Sequence, residues 1–388
     1  MSTRLDRALL ALLVALAAAG LVVILTQSPA SRLRSDFTIN YSAGRLIRQG
    51  QLAAPYQQPV LASMMARVAP SGTIDPGLPF SLPLAAGLPY ALLSLLPIEV
   101  AFRAWQLVTA AVLVLAALLL RRAAPLPRAA PAVAILALMA AVPTWATMTE
   151  GQPTAWLALG GAMAVLALRS ESWLVAAAAG ALLAVKPQYL PAYLLVLFAA
   201  RRWRAIAAAA AGAGVLLMSS LAGGPRGLVG MVHNALSANQ AVAIQTNEAW
   251  VGLYGSALSA THATVVAIAI YVATLVVLAF LAWRRPTPVL AYAALAGVLI
   301  VLASPHALPH DLLILAVPAW LAMVLYREGA LRNPIPGLLL TQLALLLDLH
   351  GLALPLGPLV MTAVVAWYGW PFRPRAARWR RTPTGRAA

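Results

Sequence analysis

The sequence contains no cysteine and few charged residues, and both shortages narrow what the protein can be. Without cysteine, the chain has no disulfides, no thiolate catalysis and no cysteine-built zinc or iron–sulfur sites. Charged residues make up only 10% of the 388 residues, whereas 62% are hydrophobic. So little charge does not coat a soluble domain of this size. The composition therefore indicates a membrane protein.

Nucleotide-binding motifs are also missing. The sequence has no P-loop, no GxGxxG and no GxSxG. We therefore expect no nucleotide hydrolysis and no cofactor. The formal net charge of +17 does not indicate nucleic acid as a partner, because the arginines form short clusters between apolar runs. That pattern is typical of the cytoplasmic flanks of membrane helices.

Apolar runs of about 17 to 25 residues, the length that crosses a bilayer core, recur along the chain. They predict an all-α polytopic membrane protein with about twelve transmembrane helices. Residues 1–371 form one integral membrane domain in this interpretation, and residues 372–388 form a basic cytoplasmic tail. The predicted helices cover residues 8–26, 100–120, 129–147, 153–168, 172–185, 188–200, 205–222, 263–283, 287–303, 311–326, 335–349 and 354–371.

The distribution of basic residues predicts the orientation. With both termini in the cytoplasm, 19 of the 27 basic residues fall on the inner side. Seven of the ten acids and all five histidines fall on the outer side. This threading leaves two larger outer-face loops, 27–99 and 223–262. It also requires that the proline-rich residues 78–98 form a re-entrant or interfacial element rather than a span.

Six outer helix ends carry ionisable or amide side chains, which are costly at membrane depth unless paired, hydrated or functional. Their gathering on one side predicts a shared site, although each group alone is equally compatible with a solvated loop end. The groups are Ser35–Phe37, Glu150–Gln152, Lys186–Gln188, Asn247–Trp250, His306–Asp311 and Asp348–His350.

Asp36 is the first candidate for a catalytic base, because desolvation of a carboxylate in a cleft raises its pKa. It precedes a segment of helical spacing, 40–49, that includes Tyr41 and is expected to lie along the membrane surface. The alternative is that Asp36 only caps this surface helix.

Lys186 is the only lysine, and a compact cation suits the phosphate of a lipid carrier. The alternative is a lysine that snorkels to the interface. Gln152 and Gln188 supply amides that suit sugar hydroxyls, or that simply bond helix ends.

His306 and His310 lie four residues apart, with Asp311 adjacent. Pro305 and Pro309 disfavour the regular helix that a metal site at this spacing needs, so we predict no metal. A histidine here is instead the second candidate for the base or a phosphate partner. The alternative is an Asp311 that caps a helix beside two solvated histidines.

The motifs together resemble glycosyltransferase family 87. The pattern Asp36–x4–Tyr41–x8–Gly50–x4–Pro55–Tyr56 resembles the first outer loop of that family. The later groups resemble its GQ turn, KP turn, second outer loop and late outer-face motif. They are, in that order, Glu150–Gln152, Lys186–Gln188, Asn247 with Trp250 and Ser256, and His306–Asp311. The chain departs from the family at Pro153, where Asn is usual, and in its proline-rich loop.

The resemblance implies a fold of the GT-C class and a sugar, mannose first, that is carried on a polyprenyl phosphate. It implies transfer to a hydroxyl of a lipid or glycan acceptor on the periplasmic side of the bacterial inner membrane. Tyr41, Gln152, Lys186, Gln188, Asn247, Glu248 and Asp311 are then the expected donor- or acceptor-binding residues, and Asp36, His306 and His310 the expected catalytic ones. A single displacement inverts the anomeric centre.

Two other functions compete. A lipid or solute transporter, such as a flippase, commonly has inverted repeats and a midplane site. The sequence shows no repeat, and its polar groups lie at helix ends on one side. A membrane acyl- or phosphotransferase acting on a lipid-linked sugar has the same site location, and only substrate assays distinguish it.

Overall fold

The structure is a computed structural model, and it describes residues 3–70, 74–126, 131–241, 247–284, 288–348 and 355–367. Every regular element in these ranges is a helix. The first nine α-helices are α1 (Thr3–Thr26), α2 (Pro29–Leu33), α3 (Phe37–Arg48), α4 (Gln58–Val68), α5 (Leu88–Leu93), α6 (Ile98–Ala123), α7 (Pro131–Met139), α8 (Val142–Glu150) and α9 (Thr154–Ser170).

The second half of the chain continues in the same style, with short 3-10 turns between α-helices. One 3-10 turn covers Pro187–Tyr189 and another covers Pro309–Leu315. The α-helices are α10 (Trp173–Leu183), α11 (Leu190–Ala199), α12 (Trp203–Met218), α13 (Gly224–Ala241), α14 (Trp250–Tyr254), α15 (Ala260–Trp283), α16 (Val289–Leu302), α17 (Ala316–Arg327), α18 (Ile335–Asp348) and α19 (Leu356–Trp367).

Four helical segments in the described ranges are long and apolar enough to cross a membrane. They are Ile98–Ala123, Trp203–Ser237, Ala260–Trp283 and Pro309–Arg327. Each of the twelve predicted segments contains a helix, but most of these helices are shorter than a span. The all-α membrane architecture is therefore confirmed, whereas the count of about twelve spans stays a prediction.

The predicted helix 129–147 is interrupted, and α7 and α8 take its place. Proline at position 143 lacks the backbone N–H that would bond the carbonyl of Met139. Side chains satisfy the released carbonyls instead: the Trp145 indole donates to Met139 O at 3.0 Å, and the Thr144 hydroxyl donates to Leu138 O at 2.6 Å. The prediction of one continuous helix was wrong here because it considered hydropathy ahead of proline.

The two predicted outer loops are largely helical. The segment 27–99 contains α2 to α5, and the proline-rich residues 78–98 hold only a 3-10 turn, Leu84–Gly87, and the six-residue α5. Neither is long enough to span a bilayer, as the threading required. The segment 223–262 contains α13, which the sequence did not predict. The basic tail, 372–388, lies outside the described residues.

Small residues hold α10 tightly between α9 and α12. A Cβ at Gly212 would collide with the carbonyl of Ala177, and a Cβ at Gly180 would collide with that of Ala209. This close packing fixes the end of α10. The next turn carries Lys186, so the packing also positions that side chain.

Candidate active site

Asp36 lies between α2 and α3, and its side chain does not cap α3. The carboxylate Oδ2 instead accepts a hydrogen bond from Gln152 Nε2 at 2.5 Å. These two residues are 116 positions apart in the chain, so the contact is tertiary. Asp36 is half-buried, which leaves part of its side chain accessible. The geometry therefore favours a binding or catalytic side chain over a helix cap.

The Glu150–Gln152 turn holds Asp36 from a second direction. α8 ends at Glu150, and Gly151 adopts the left-handed conformation with φ of 65°. A Cβ at Gly151 would lie 2.5 Å from Cβ of Phe37, so the turn requires glycine for its backbone angle and for space. Glu150 Oε2 accepts the backbone N–H of Asp36 at 3.4 Å.

Lys186 forms a buried ion pair with Asp311 Oδ1. The Lys186 side chain is 13% exposed and that of Asp311 is fully buried. His310 Nε2 lies 3.5 Å from Lys186 Nζ and 3.5 Å from Asp311 Oδ1. The second oxygen of Asp311 accepts the N–H of Leu308 at 3.2 Å, so Asp311 also caps its own turn.

The loop that carries His306 is held by hydroxyl groups at its backbone. The carbonyl of His306 accepts hydrogen bonds from Ser304 Oγ at 2.6 Å and from Tyr189 at 3.4 Å. The carbonyl of His310 accepts from Thr147 Oγ1 at 3.2 Å. The imidazole of His306 is thus left half-buried beside the Lys186–Asp311 pair.

Electrostatics join these parts into one site. Asp36 interacts with the charges of Lys186 and Asp311, and so does His306. Burial raises the pKa of Asp36, while the hydrogen bond from Gln152 and the charge of Lys186 act against that rise. Burial lowers the pKa of His306 to about 4, so its imidazole is neutral near pH 7. We call Asp36, Gln152, Lys186, His306, His310 and Asp311 the acid–base cluster.

Asn247 and Glu248 contact this cluster through hydrogen bonds to the backbone of the loop that carries His306. Asn247 Oδ1 accepts the N–H of Ala307 at 3.0 Å, and the N–H of Glu248 donates to the carbonyl of Ala307 at 2.6 Å. Asn247 Nδ2 donates to the carbonyl of Pro305 at 3.4 Å. In this structure both residues brace the 304–308 loop, which carries His306.

The side chain of Glu248 faces a second carboxyl group, that of Asp348, the last residue of α18. Asp348 accepts the N–H groups of Leu356 at 2.7 Å and Gly357 at 2.6 Å. Burial first, and then the Asp348 charge, raises the pKa of Glu248 to about 9. Glu248 is therefore protonated near neutral pH and donates to Asp348. His350, from the same predicted group, lies outside the described residues.

Two of the predicted binding residues make other contacts. The hydroxyl of Tyr41 donates to the carbonyl of Leu96 at 2.7 Å, which anchors α3 on the end of α5. Gln188 shares the Pro187–Tyr189 turn, and its carbonyl accepts from Tyr271 at 2.6 Å. In the described part of the chain, no group of three His, Asp or Glu side chains is arranged to hold a metal ion.

Residues 80–305, more than half of the chain, match the model of glycosyltransferase family 87. The chain belongs to glycosyltransferase family 87. No curated protein and no solved structure matches it significantly. The family 87 assignment makes the protein a membrane glycosyltransferase, and it disfavours the transporter alternative.

The family 87 segment contains the Glu150–Gln152 turn, Lys186 and Asn247, whereas Asp36 and the His306–Asp311 segment lie outside it. The roles of all these side chains remain predictions. Sequence reasoning did not select three supporting hydroxyl groups, those of Thr147, Tyr189 and Tyr90. Tyr90 donates to the carbonyl of Gly151 at 3.1 Å. A polar residue close to a selected motif, as Thr147 and Tyr189 are, was the available signal.

Proposed function

We propose that this enzyme transfers a sugar, mannose in the first instance, from a polyprenyl phosphate to a hydroxyl group of a lipid or glycan acceptor, with inversion. We place the reaction on the periplasmic side of the bacterial inner membrane, where the basic residues predict the cluster to lie. One observation carries the proposal: a half-buried carboxylate, Asp36, and the only lysine, Lys186, belong to the same acid–base cluster.

Asp36 is the proposed general base. A base works best when its pKa lies near the operating pH, and burial moves the pKa of Asp36 upwards in that direction. His306 is less suited, because a group with a pKa of about 4 holds a proton poorly at neutral pH. His310 is less suited as well, because its Nε2 faces the ammonium group of Lys186.

The proposed step is a single displacement. The acceptor oxygen bonds to the anomeric carbon as its proton passes to Asp36. The bond between the anomeric carbon and the phosphate oxygen breaks, and its electron pair leaves with the polyprenyl phosphate. Opposite-face attack in one step inverts the anomeric centre.

Lys186 is the proposed partner of the leaving phosphate. Its ammonium group has three N–H donors, and Asp311 occupies one of them. A donor that is already fixed by an ion pair needs no reorganisation as negative charge develops on the phosphate. Because Asp311 offsets the charge of Lys186, we expect directed hydrogen bonding rather than net positive charge to be its main contribution.

A lipid-linked donor fits the apolar surroundings of the cluster. Pro309–Arg327, which carries His310 and Asp311, is one of the segments of membrane-crossing length. A donor whose polyprenyl chain lies in the bilayer would present its phosphate to this segment from the side. A water-soluble nucleotide sugar has no comparable reason to react there, and nucleotide-binding motifs are absent from the sequence.

The test is a transfer assay with purified protein in detergent, membrane lipids as acceptors and radiolabelled polyprenyl-phosphate-mannose as donor. We expect label in a new product, and a fall of about 10²- to 10⁴-fold for Asp36→Asn, the usual contribution of a general base. The matched control is Asp75→Asn, which changes an exposed carboxylate of the same 27–99 segment that bonds only the N–H of Gly77 at 2.7 Å.

A panel of polyprenyl-phosphate sugars decides the donor. Transfer from polyprenyl-phosphate-glucose but not from the mannose donor would change the sugar and keep the reaction. No transfer from any polyprenyl-phosphate sugar, or full activity of Asp36→Asn, would contradict the proposal.

A further inference from the structure

Glu150 is a carboxyl group beside Asp36 that the proposed transfer step does not use. Its Oε2 accepts the backbone N–H of Asp36 at 3.4 Å, while Gln152, two residues later, donates to the Asp36 carboxylate at 2.5 Å. The left-handed backbone of Gly151 turns the chain so that both side chains reach the same residue. One three-residue turn thus holds Asp36 by its main chain and by its side chain.

The charged groups around Asp36 do not compensate Glu150. Lys186 is engaged with Asp311, and Arg32 pairs with Glu99 at 3.1 Å. In the ranges that the structure describes, no lysine or arginine forms an ion pair with Glu150. Tyr90 of α5, whose hydroxyl donates to the carbonyl of Gly151, contributes only a neutral hydroxyl group.

Arg103 is engaged elsewhere too. Its guanidinium donates to the carbonyl groups of Ile24 and Leu25 at 2.8 and 3.1 Å, and to Gln106 at 2.7 Å. The negative charge of an ionised Glu150 therefore interacts mainly with the neighbouring carboxylate of Asp36.

We propose that Glu150 is a positioning residue that sets the proton affinity of Asp36, with its ionised form making Asp36 a stronger base. Like charges at close range disfavour the second ionisation, so an ionised Glu150 increases the tendency of Asp36 to take the acceptor proton. A protonated Glu150 removes that assistance. The inference rests on the proposed function, because it assigns the tuning of the same base.

Burial and the Asp36 charge raise the pKa of Glu150 to about 7. The assistance therefore changes within the neutral range, and the two carboxyl groups titrate as a pair. Transfer should fall on the acid side for two reasons: Asp36 gains a proton, and Glu150 loses its charge.

The variant Glu150→Gln separates charge from shape. The amide oxygen still accepts the N–H of Asp36, but the negative charge is gone. The proton affinity of Asp36 is measured without any turnover by labelling with dicyclohexylcarbodiimide, which reacts with protonated carboxyl groups in apolar surroundings. Mass spectrometry of the Asp36 peptide over a pH series gives the midpoint of its protonation.

We expect Glu150→Gln to lower the labelling of Asp36 chiefly above pH 7, where Glu150 is ionised in the wild-type protein, and so to move the midpoint to lower pH. The matched control is Asp75→Asn, which removes an equal charge from an exposed side chain of the same 27–99 segment that accepts the N–H of Gly77 at 2.7 Å. The control should leave the Asp36 midpoint in place. In the transfer assay, the acid limb of kcat/KM should move with the labelling midpoint.

Gln152→Glu is the complementary variant if Glu150→Gln fails to fold. It adds a negative charge against Asp36 and should move the labelling midpoint to higher pH. Unmoved Asp36 midpoints in the folded variants would overturn the inference. If wild-type protein transfers no sugar, the proposed function fails, while the labelling midpoints still decide whether Glu150 controls Asp36.

Discussion

Asp311 and Glu248 are both buried acids on connected backbone, yet they have opposite kinds of partner. Asp311 faces the ammonium group of Lys186, whereas Glu248 faces another carboxyl group, Asp348. The first pair is held by opposite charges, whereas in the second the charge of Asp348 adds to burial in raising the pKa of Glu248. Residue type alone therefore does not distinguish these two acids, whereas the residue that each one faces in the fold does.

The largest expected effect comes from breaking the first pair. Lys186→Met leaves Asp311 fully buried without its cation, and loss of one partner of a buried ion pair typically costs about 3–5 kcal/mol. Thermal unfolding in detergent should show a large fall in Tm. The double variant Lys186→Met with Asp311→Leu should recover much of this stability and no transfer activity.

The matched control for that prediction is Arg202→Met. It breaks the Arg202–Glu171 pair, whose side chains are 35% and 69% exposed, and exposed pairs contribute about 1 kcal/mol or less. Equal losses of Tm in Lys186→Met and Arg202→Met would show that the Lys186–Asp311 pair is not buried as described.

The next largest effect concerns the Glu248–Asp348 pair and its response to pH. The pKa of Glu248 is raised from 4.5 to about 9 by folding, so the folded protein binds an extra proton between these values. Stability from this group is then complete at low pH and falls as pH rises through that window. The Tm should decline with rising pH, and Glu248→Gln should flatten the decline.

The variant Glu248→Gln also tests directly whether Glu248 is protonated at neutral pH. Because Glu248 is protonated there only in the folded protein, Glu248→Gln keeps a donor to Asp348 and removes the cost of protonating the side chain on folding, so Tm should stay or rise. Asp311→Asn removes the counter-charge of Lys186 and should lower Tm clearly. A large loss of stability in Glu248→Gln, matching that of Asp311→Asn, would mean that Glu248 is ionised and the contrast is wrong.

The smallest expected effect concerns Tyr41. Its hydroxyl donates to the carbonyl of Leu96, an exposed residue, so Tyr41→Phe loses one neutral hydrogen bond and should cost about 1 kcal/mol. The KM for the donor should stay within about twofold of wild type, against a rise for Gln152→Ala. A large rise in KM for Tyr41→Phe would return Tyr41 to the binding site.

Much of this architecture could be predicted from the sequence, because apolar run length and helix formation have the same cause in a membrane. The interruption between α7 and α8 depended on side chains that satisfy carbonyl groups, such as Trp145, which hydropathy does not record. α13 was missed because its residues are polar enough to resemble a loop.

The site was predictable only as a set of candidates. Charge asymmetry in the sequence predicted that Asp36, Lys186 and the two histidines lie on the same side of the membrane. It could not predict which of these side chains contact each other. The proposed roles depend on contacts over more than a hundred positions, such as those of Asp36 with Gln152 and of Lys186 with Asp311. Tyr41 was selected by helical spacing, which could not reveal that its hydroxyl donates to the carbonyl of Leu96.

The most direct test of a single shared site uses the absence of native cysteine. Single cysteines at Gln152, Pro187 and Pro305 are treated with a membrane-impermeant maleimide in right-side-out vesicles, with Glu171→Cys as the control for the other side. We predict labelling of the first three from outside, and of Glu171→Cys only after permeabilisation. Labelling of Gln152→Cys and Pro305→Cys from opposite sides would contradict the account.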